Sequence, residues 1–151
     1  MGKKVLILSA SPRKGGNSDL LCDQFLLGAR EAGYQVEKVF LGDRKIAYCT
    51  GCGTCVSRKG ECSRHDDMAE ILAKMIAADV IVMATPLYFY TMNGQMKTLI
   101  DRTCAGYTLL ADKELYFIMT AADASRQAMD RTLEEFRGFA SCLDGAREME
   151  L

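Results

Sequence analysis

Apolar positions along the chain fall into two alternating patterns. Val5-Leu6-Ile7-Leu8, Val80-Ile81-Val82-Met83-Ala84 and Leu115-Tyr116-Phe117-Ile118-Met119 are short continuous apolar runs, the pattern of strands covered on both faces. Ser9-Ala10-Ser11-Pro12 ends the first and Pro86 ends the second. Val36 to Leu41 alternates less cleanly and carries Glu37 and Lys38, which predicts an edge strand. Between these runs, apolar residues recur at helical spacing. Leu21, Phe25, Ala29 and Ala32, flanked by Cys22 and Leu26, predict a first helix from Ser18 to the stop at Gly33, with Asp19, Asp23, Arg30 and Glu31 facing away. Met68, Ile71, Leu72, Met75 and Ile76 predict a second helix, opened by Asp66-Asp67, acids suited to a first turn. Met92, Met96, Leu99, Ile100 and Thr103 predict a third, and Met129, Thr132, Leu133, Phe136, Ala140 and Leu143 a fourth.

The order βαβαβαβα predicts an α/β domain: a three-layer, doubly wound parallel sheet with right-handed crossovers. No linker, repeat or low-complexity tract divides it, so residues 1–151 read as one domain. Only 42–65 is long without periodicity, and a loop of that length in a compact domain is usually functional. After Leu143 no apolar run offers a fifth strand. The Leu115–Met119 strand is therefore expected at an exposed apolar edge, covered by another chain or by C-terminal residues that this sequence lacks.

Charge and composition narrow the function classes. Nineteen Lys and Arg oppose twenty Asp and Glu, a net charge of −1 with a pI near 5.9. That balance argues against nucleic acid or an anionic membrane as a partner. The longest apolar runs have five residues, against about 20 for a membrane span, and Val5–Leu8 is too short for a signal peptide. A cytoplasmic location follows, where thiols stay reduced and clustered cysteines bind metal or do redox chemistry before they form structural disulfides. Of seven cysteines, Cys49, Cys52, Cys55 and Cys62 fall within 14 residues. Cys22, Cys104 and Cys142 lie on or near helical apolar faces and read as buried small hydrophobes. His65, the only histidine, reads as solvated, and Asp101-Arg102 as structural, holding neighbouring helices or subunits.

Ser9-Ala10-Ser11-Pro12-Arg13-Lys14-Gly15-Gly16-Asn17-Ser18 runs from a buried strand to a helix N-terminus, where free N–H groups and the helix dipole favour an anion. Ser11, Asn17 and Ser18 can donate to phosphate oxygens, Gly15 and Gly16 admit close backbone approach, and Arg13 offers a planar cation. Neither the Walker spacing nor Gly-x-Gly-x-x-Gly is present, and Ser9-Ala10-Ser11 replaces the acidic pair of a receiver domain. A plain Gly/Ser turn with Ser18 or Asn17 as a helix cap is the rival reading. After the second buried strand, Thr85-Pro86-Leu87-Tyr88-Phe89-Tyr90-Thr91-Met92-Asn93-Gly94 holds three consecutive aromatics. Ligands of open parallel sheets bind outside the carboxyl ends of the strands, where the strand order reverses. Both loops belong there, with Pro86 to Phe89 as a wall for a flat ring system, or as a tyrosine-rich dimer surface. Thr120-Ala121-Ala122-Asp123 forms the other rim.

These residues resemble the flavodoxin-like NAD(P)H-dependent FMN reductases and iron–sulfur flavoproteins. The likeness rests on Ser9 to Ser18, on the cysteines followed by Asp66-Asp67-Met68, and on Thr85 to Phe89 followed by Lys97 and Asp101-Arg102. It implies strand order 2-1-3-4-5, from which this chain departs as 2-1-3-4 with the fifth strand missing or supplied elsewhere, and FMN phosphate held by Ser9, Ser11, Arg13, Asn17 and Ser18. It further implies the isoalloxazine against Pro86, Leu87, Tyr88 and Phe89, NAD(P)H as electron donor, and a homodimer or homotetramer.

Cys49-x2-Cys52-x2-Cys55-x6-Cys62 repeats, in its first three members, the spacing of bacterial ferredoxins, without their Cys-Pro ending. The resemblance implies a [4Fe-4S] cluster in this loop, beside the flavin. Structural zinc, with His65 as a nitrogen ligand, and an unmetallated loop remain open. The function expected is electron transfer from NAD(P)H through FMN to a small-molecule or protein acceptor, with no protein side chain in a catalytic role. A flavodoxin-type carrier without nicotinamide turnover and a cysteine-loop metal or redox sensor are the alternatives.

Overall fold

The computed structural model describes residues 2–149, so Met1, Glu150 and Leu151 lie outside it. Strand β1 (Lys4–Ser9) leads to helix α1 (Asn17–Glu31), β2 (Gln35–Phe40), a one-turn α2 (Thr54–Ser57) and α3 (Met68–Ala77). Then come β3 (Val80–Tyr88), β4 (Thr91–Met92), α4 (Gly94–Arg102), β5 (Glu114–Thr120), α5 (Asp130–Ala140) and β6 (Arg147–Glu148). The main sheet runs β2-β1-β3-β5-β6, its ladders parallel, and β4 hairpins back onto β3. This is the doubly wound order, with β1 and β3 adjacent where the winding reverses. Val5, Leu6, Ile7 and Leu8 are all buried, which accounts for the unbroken apolar run in β1.

The two faces are covered unequally. Leu6, Leu8, Ile81, Met83 and Leu115 pack against Met68, Ile71, Met75, Met96, Leu99 and Phe136 of α3, α4 and α5. On the other face, Val5, Ile7, Val80 and Val82 meet α1 through Cys22, Phe25 and Leu26. With the winding changing direction at β1, right-handed crossovers place the three later helices on one face and α1 alone on the other. A single helix about 10 Å wide cannot cover strands ~4.8 Å apart as far as β5. An open groove of about 660 Å³ therefore lies beside α1, lined by Leu21, Phe25, Tyr116 and Ile118.

That asymmetry corrects three expectations. β5 is not buried on both faces: Leu115 is fully buried, but Tyr116 to Thr120 are only partly covered. Leu21, a stripe residue of α1, is 46% exposed beside this groove; Asp19, expected to face away, is buried at 3% for a separate reason, its bond to Lys38 of β2. The fifth strand is present in rudiment, because Arg147 and Glu148 pair with Glu114 and Leu115. They cover only the start of the β5 edge.

A fourth correction concerns Pro86, which does not end its strand. β3 continues to Tyr88, with Pro86 in register with Thr120 of β5. The β1 ladder stops at Ser9–Ala84, so the missing proline N–H costs no bond on that side. Cys22 is buried as expected, and burial pushes its thiol up to about 11. Cys104 and Cys142 are instead exposed, since both follow the ends of their helices, where the apolar stripe no longer faces the sheet. No helix among the described residues is long and apolar enough to cross a membrane.

Candidate functional site

The carboxyl ends of β1, β3 and β5 converge, and the loops leaving them are tied together by buried polar groups. After β1, Ser11 donates to the Arg13 carbonyl (2.7 Å), and the Gly16 N–H donates to the same oxygen (3.0 Å). This tight turn delivers Asn17 to the start of α1, whose N-cap, Gly16, brings no side chain to its free N–H groups. A Cβ at Gly16 would lie 2.8 Å from Ser11 Oγ and 3.1 Å from the Arg13 carbonyl, so the turn requires glycine. Arg13 and Asn17 stay exposed around this uncapped end, an arrangement suited to a phosphate. The rival reading, Ser18 or Asn17 as a plain cap, is not what forms: no side chain caps α1.

Ser9, Ser11 and Ser18 are buried, whereas Arg13 and Asn17 are exposed. Ser9 is fully buried and donates to Asp19 Oδ1 (2.8 Å). Asp19 also accepts from the Gly15 N–H (2.9 Å) and from Lys38 (3.0 Å). Burial alone would raise the Asp19 carboxyl, but the Gly15, Ser9 and Lys38 donors outweigh it and hold it below the usual range. Ser9 and Asp19 thus brace the loop from beneath. The Ser18 hydroxyl lies 2.7 Å from that of Thr120, joining the phosphate loop to the rim after β5.

The aromatic segment is a hairpin, with Leu87 opposite Met92 and Tyr88 opposite Thr91. Its two turn residues, Phe89 (φ 52°) and Tyr90 (φ 62°), adopt the left-handed region that Asn or Gly normally fills in such turns. Bulky residues there store strain of order 1–3 kcal/mol each. Phe89 is 98% exposed at the tip. Pro86 and Leu87 are half-buried below it, and Tyr90 donates to Asp123 of the β5 rim (3.4 Å).

Asn93 is the residue that sequence reasoning left unassigned. Buried at 1%, it accepts from the Met96 N–H (3.1 Å) as the cap of α4, and its Nδ2 donates to the Ala10 carbonyl (2.5 Å). Its own N–H donates to Thr85 Oγ1 (3.1 Å). It therefore locks the phosphate loop to the hairpin. The signal available was its place just before a helical stripe, the position of an N-cap.

The segment that carries the cysteines meets the phosphate loop at its start, where Asp43 pairs with Lys14 (3.1 Å), and its cysteines gather by the C-terminal end of α4. Arg102, 3% exposed, holds Asp66 through both nitrogens (2.7 and 2.9 Å), the Ala47 carbonyl (2.6 Å) and Cys62 Sγ (3.7 Å). Arg102 thus ties the end of α4 to the segment before α3, and Asp101 pairs with Lys97 within α4. The two guanidinium bonds pull the Asp66 carboxyl down to about 2. Cys49, Cys52, Cys55, Cys62 and Cys104 line one pocket of about 190 Å³. Hydroxyls of Ser63 (3.3 Å) and Thr54 (3.2 Å) lower the Cys52 thiol to about 6. The donor set suits a thiolate-bound cluster, and glycines at positive φ (Gly51, Gly53, Gly60) give the loop freedom to close. Among the described residues, however, no three such groups stand close enough to hold a metal ion. His65 is exposed and does not line this pocket.

The chain is 43% identical to an iron-sulfur flavoprotein of Archaeoglobus fulgidus over 99 residues, 66% of this chain and 44% of that one. It is 40% identical to an iron-sulfur flavoprotein of Methanocaldococcus jannaschii over 100 residues, 66% of this chain and 51% of that one. The chain thus spans about half the length of the curated relatives it matches. In fold it is similar to an azoreductase from Bacillus anthracis, with a TM-score of 0.76 at 20% identity, covering 98% of this chain and 84% of that one. The model of the NADPH-dependent FMN reductases matches residues 3–146, a span that takes in the phosphate loop, the aromatic hairpin and Asn93 between them. The chain belongs to the NADPH-dependent FMN reductase family.

Proposed function

We propose that this protein binds FMN noncovalently over the carboxyl ends of β1, β3 and β5 and passes electrons from NADH or NADPH through the flavin to a second acceptor. The observation that carries this reading is the uncapped, glycine-cradled N-terminus of α1 opposite an aromatic hairpin. Ser11, Arg13, Asn17 and Ser18 surround the place a phosphate takes, with Ser9 bracing the loop through Asp19. Pro86, Leu87, Tyr88 and Phe89 supply the wall for the ring system. FMN, when bound, supplies the redox chemistry, accepting an electron pair and releasing electrons singly or together. The chain's own residues bind and orient; no general acid or base is required of them.

Cys49, Cys52, Cys55 and Cys62 would hold a [4Fe-4S] cluster, a one-electron outlet. The shared pocket and the likeness to iron-sulfur flavoproteins support this reading. A homodimer or homotetramer in the cytoplasm completes it. Self-association covers a hairpin tip whose Tyr88, Phe89 and Tyr90 are all exposed, and a reducing compartment suits seven unpaired thiols.

The visible spectrum of anaerobically purified protein tests the assignment. Flavin absorption that bleaches with NADH or NADPH is the expected result. Bound flavin unreactive toward both nicotinamides would make the protein a carrier, and a colourless preparation refusing added FMN would overturn the reading. Iron and sulfide analysis decides the cluster, and sedimentation velocity decides the assembly.

A further inference from the structure

Five thiols, not four, line the cysteine pocket. The fifth, Cys104, lies 42 residues beyond Cys62 in the chain, in a 3-10 turn (Thr103–Ala105) that continues directly from α4. This turn is a fixed platform. Arg102 before it is buried and bonded to Asp66, and the Thr103 hydroxyl donates to the Ile100 carbonyl (2.7 Å). Against the platform lies α2, which carries Cys55, and the Cys55 and Cys104 sulfurs stand 3.9 Å apart. The close approach is built in at Gly60. Its N–H donates to the Cys55 carbonyl (2.7 Å), and at φ 100° a Cβ there would lie 2.8 Å from the Ala105 carbonyl. Only glycine lets the loop rest on the turn. Cys104 is exposed and Cys55 partly so, which leaves the pair open to a small oxidant.

We propose that Cys55 and Cys104 form an oxidisable dithiol, a disulfide site between the cysteine loop and the end of α4. Bonded sulfurs sit ~2.05 Å apart, so a small closure of the glycine-bearing loop onto the fixed turn makes the bond. The reaction is thiol–disulfide exchange with a low-molecular-weight disulfide. Two protein S–H bonds are lost and one S–S bond forms. The reagent's S–S bond is cleaved and takes up the two electrons and two protons as two thiols. Closing the pair removes Cys55 from the four loop thiols, so an oxidised chain cannot offer the full set to a metal cluster. That consequence rests on the cluster reading of the loop; the disulfide itself does not.

The test treats the full chain, freed of metal, with oxidised glutathione, blocks remaining thiols with iodoacetamide, and maps tryptic peptides by mass spectrometry. The expected product joins residues 46–58, which hold Cys49, Cys52 and Cys55, to residues 103–113, which hold Cys104. It should persist in Cys49→Ser and Cys52→Ser and disappear in Cys55→Ser and Cys104→Ser. Gly60→Ala, which lifts the loop off Ala105, should lower its yield several-fold. Absence of this cross-link in the unsubstituted chain, or its persistence in Cys55→Ser, overturns the proposal. In parallel, the reduced chain is incubated with iron and sulfide. A cross-link without iron uptake by the reduced chain upholds the pair and removes the cluster reading. Iron uptake without a cross-link does the reverse.

Discussion

Asn93 serves three neighbours at once: it caps α4 through Met96, donates to the Ala10 carbonyl and braces Thr85. Asn93→Ala removes the cap, worth about 1 kcal/mol, and leaves the buried Ala10 carbonyl without its donor, at roughly 1–3 kcal/mol. A loss of about 2–4 kcal/mol in urea unfolding is expected. Asn93→Asp keeps the cap acceptor but cannot donate to Ala10, so it should retain α4 and still weaken flavin binding. Equal flavin affinity in Asn93→Asp and the unsubstituted chain would detach this residue from the site. Arg13 is the complementary case, exposed beside the uncapped helix end. Arg13→Ala should weaken FMN roughly 10- to 100-fold, the scale of one charged hydrogen bond, with stability unchanged. Fluorescence titration of apoprotein reads both. The phosphate-loop donors were legible because hydroxyls, glycines and a cation between a strand and a helix have one common use. Asp19 was not, because its neighbours in the stripe suggested an outward position. Its burial comes from a charge partner, Lys38, on the adjacent edge strand, which no local pattern announces.

Among the elements, the segment between β2 and α3 depends on one ion pair rather than on its own secondary structure. Only α2 and a short turn after β2 are regular within it, while Arg102 bonds Ala47 near one end and Asp66 near the other. The Asp66 carboxyl lies at about 2 in the folded chain against 3.8 unperturbed. A lowered native value adds stability that is complete above about pH 4 and is lost as pH falls through about 2. The shift corresponds to an order of 2 kcal/mol. Asp66→Asn should therefore be destabilised by at least that much at pH 7, since Arg102 is left buried without its counterion. The gap between the two proteins in urea unfolding should narrow as pH falls toward 2, where about half of the native carboxylate is protonated. A gap independent of pH would mean that the pair does not anchor the segment. Helices and strands were readable here because each carries its own period. The loop's location was not, since Ala47, Asp66 and Arg102 are brought together by tertiary packing. The same holds for Cys104: its spacing suits a helical stripe, but the helix ends at Arg102 and the thiol turns to the loop.

Across the whole molecule, α4 separates two centres of chemistry. Asn93 at its N-terminus binds the flavin loops, and Arg102 at its C-terminus binds the cysteine loop, nine residues or about 13 Å along a helix axis. The doubly wound order was legible from alternating runs, and it fixes where β1 and β3 part. The place where the cysteines gather was not legible, because a loop that follows β2 in sequence also emerges at the carboxyl ends of the strands. Its drift to the far end of α4 depends on Arg102 and on contacts such as Gly60 with Ala105. Because the two centres share no side chain, they should fail separately. Cys52→Ser removes a thiol of the loop pocket without touching Asn93, the α1 N-terminus or the hairpin. It should abolish iron and sulfide incorporation while FMN affinity stays within about twofold, a difference below ~0.5 kcal/mol. Nicotinamide-dependent bleaching of the flavin should persist, and one-electron delivery to an external acceptor should slow. A parallel fall in flavin affinity would show that the cysteine pocket and the flavin loops are coupled through their shared segment, which meets the phosphate loop at Asp43 and Lys14.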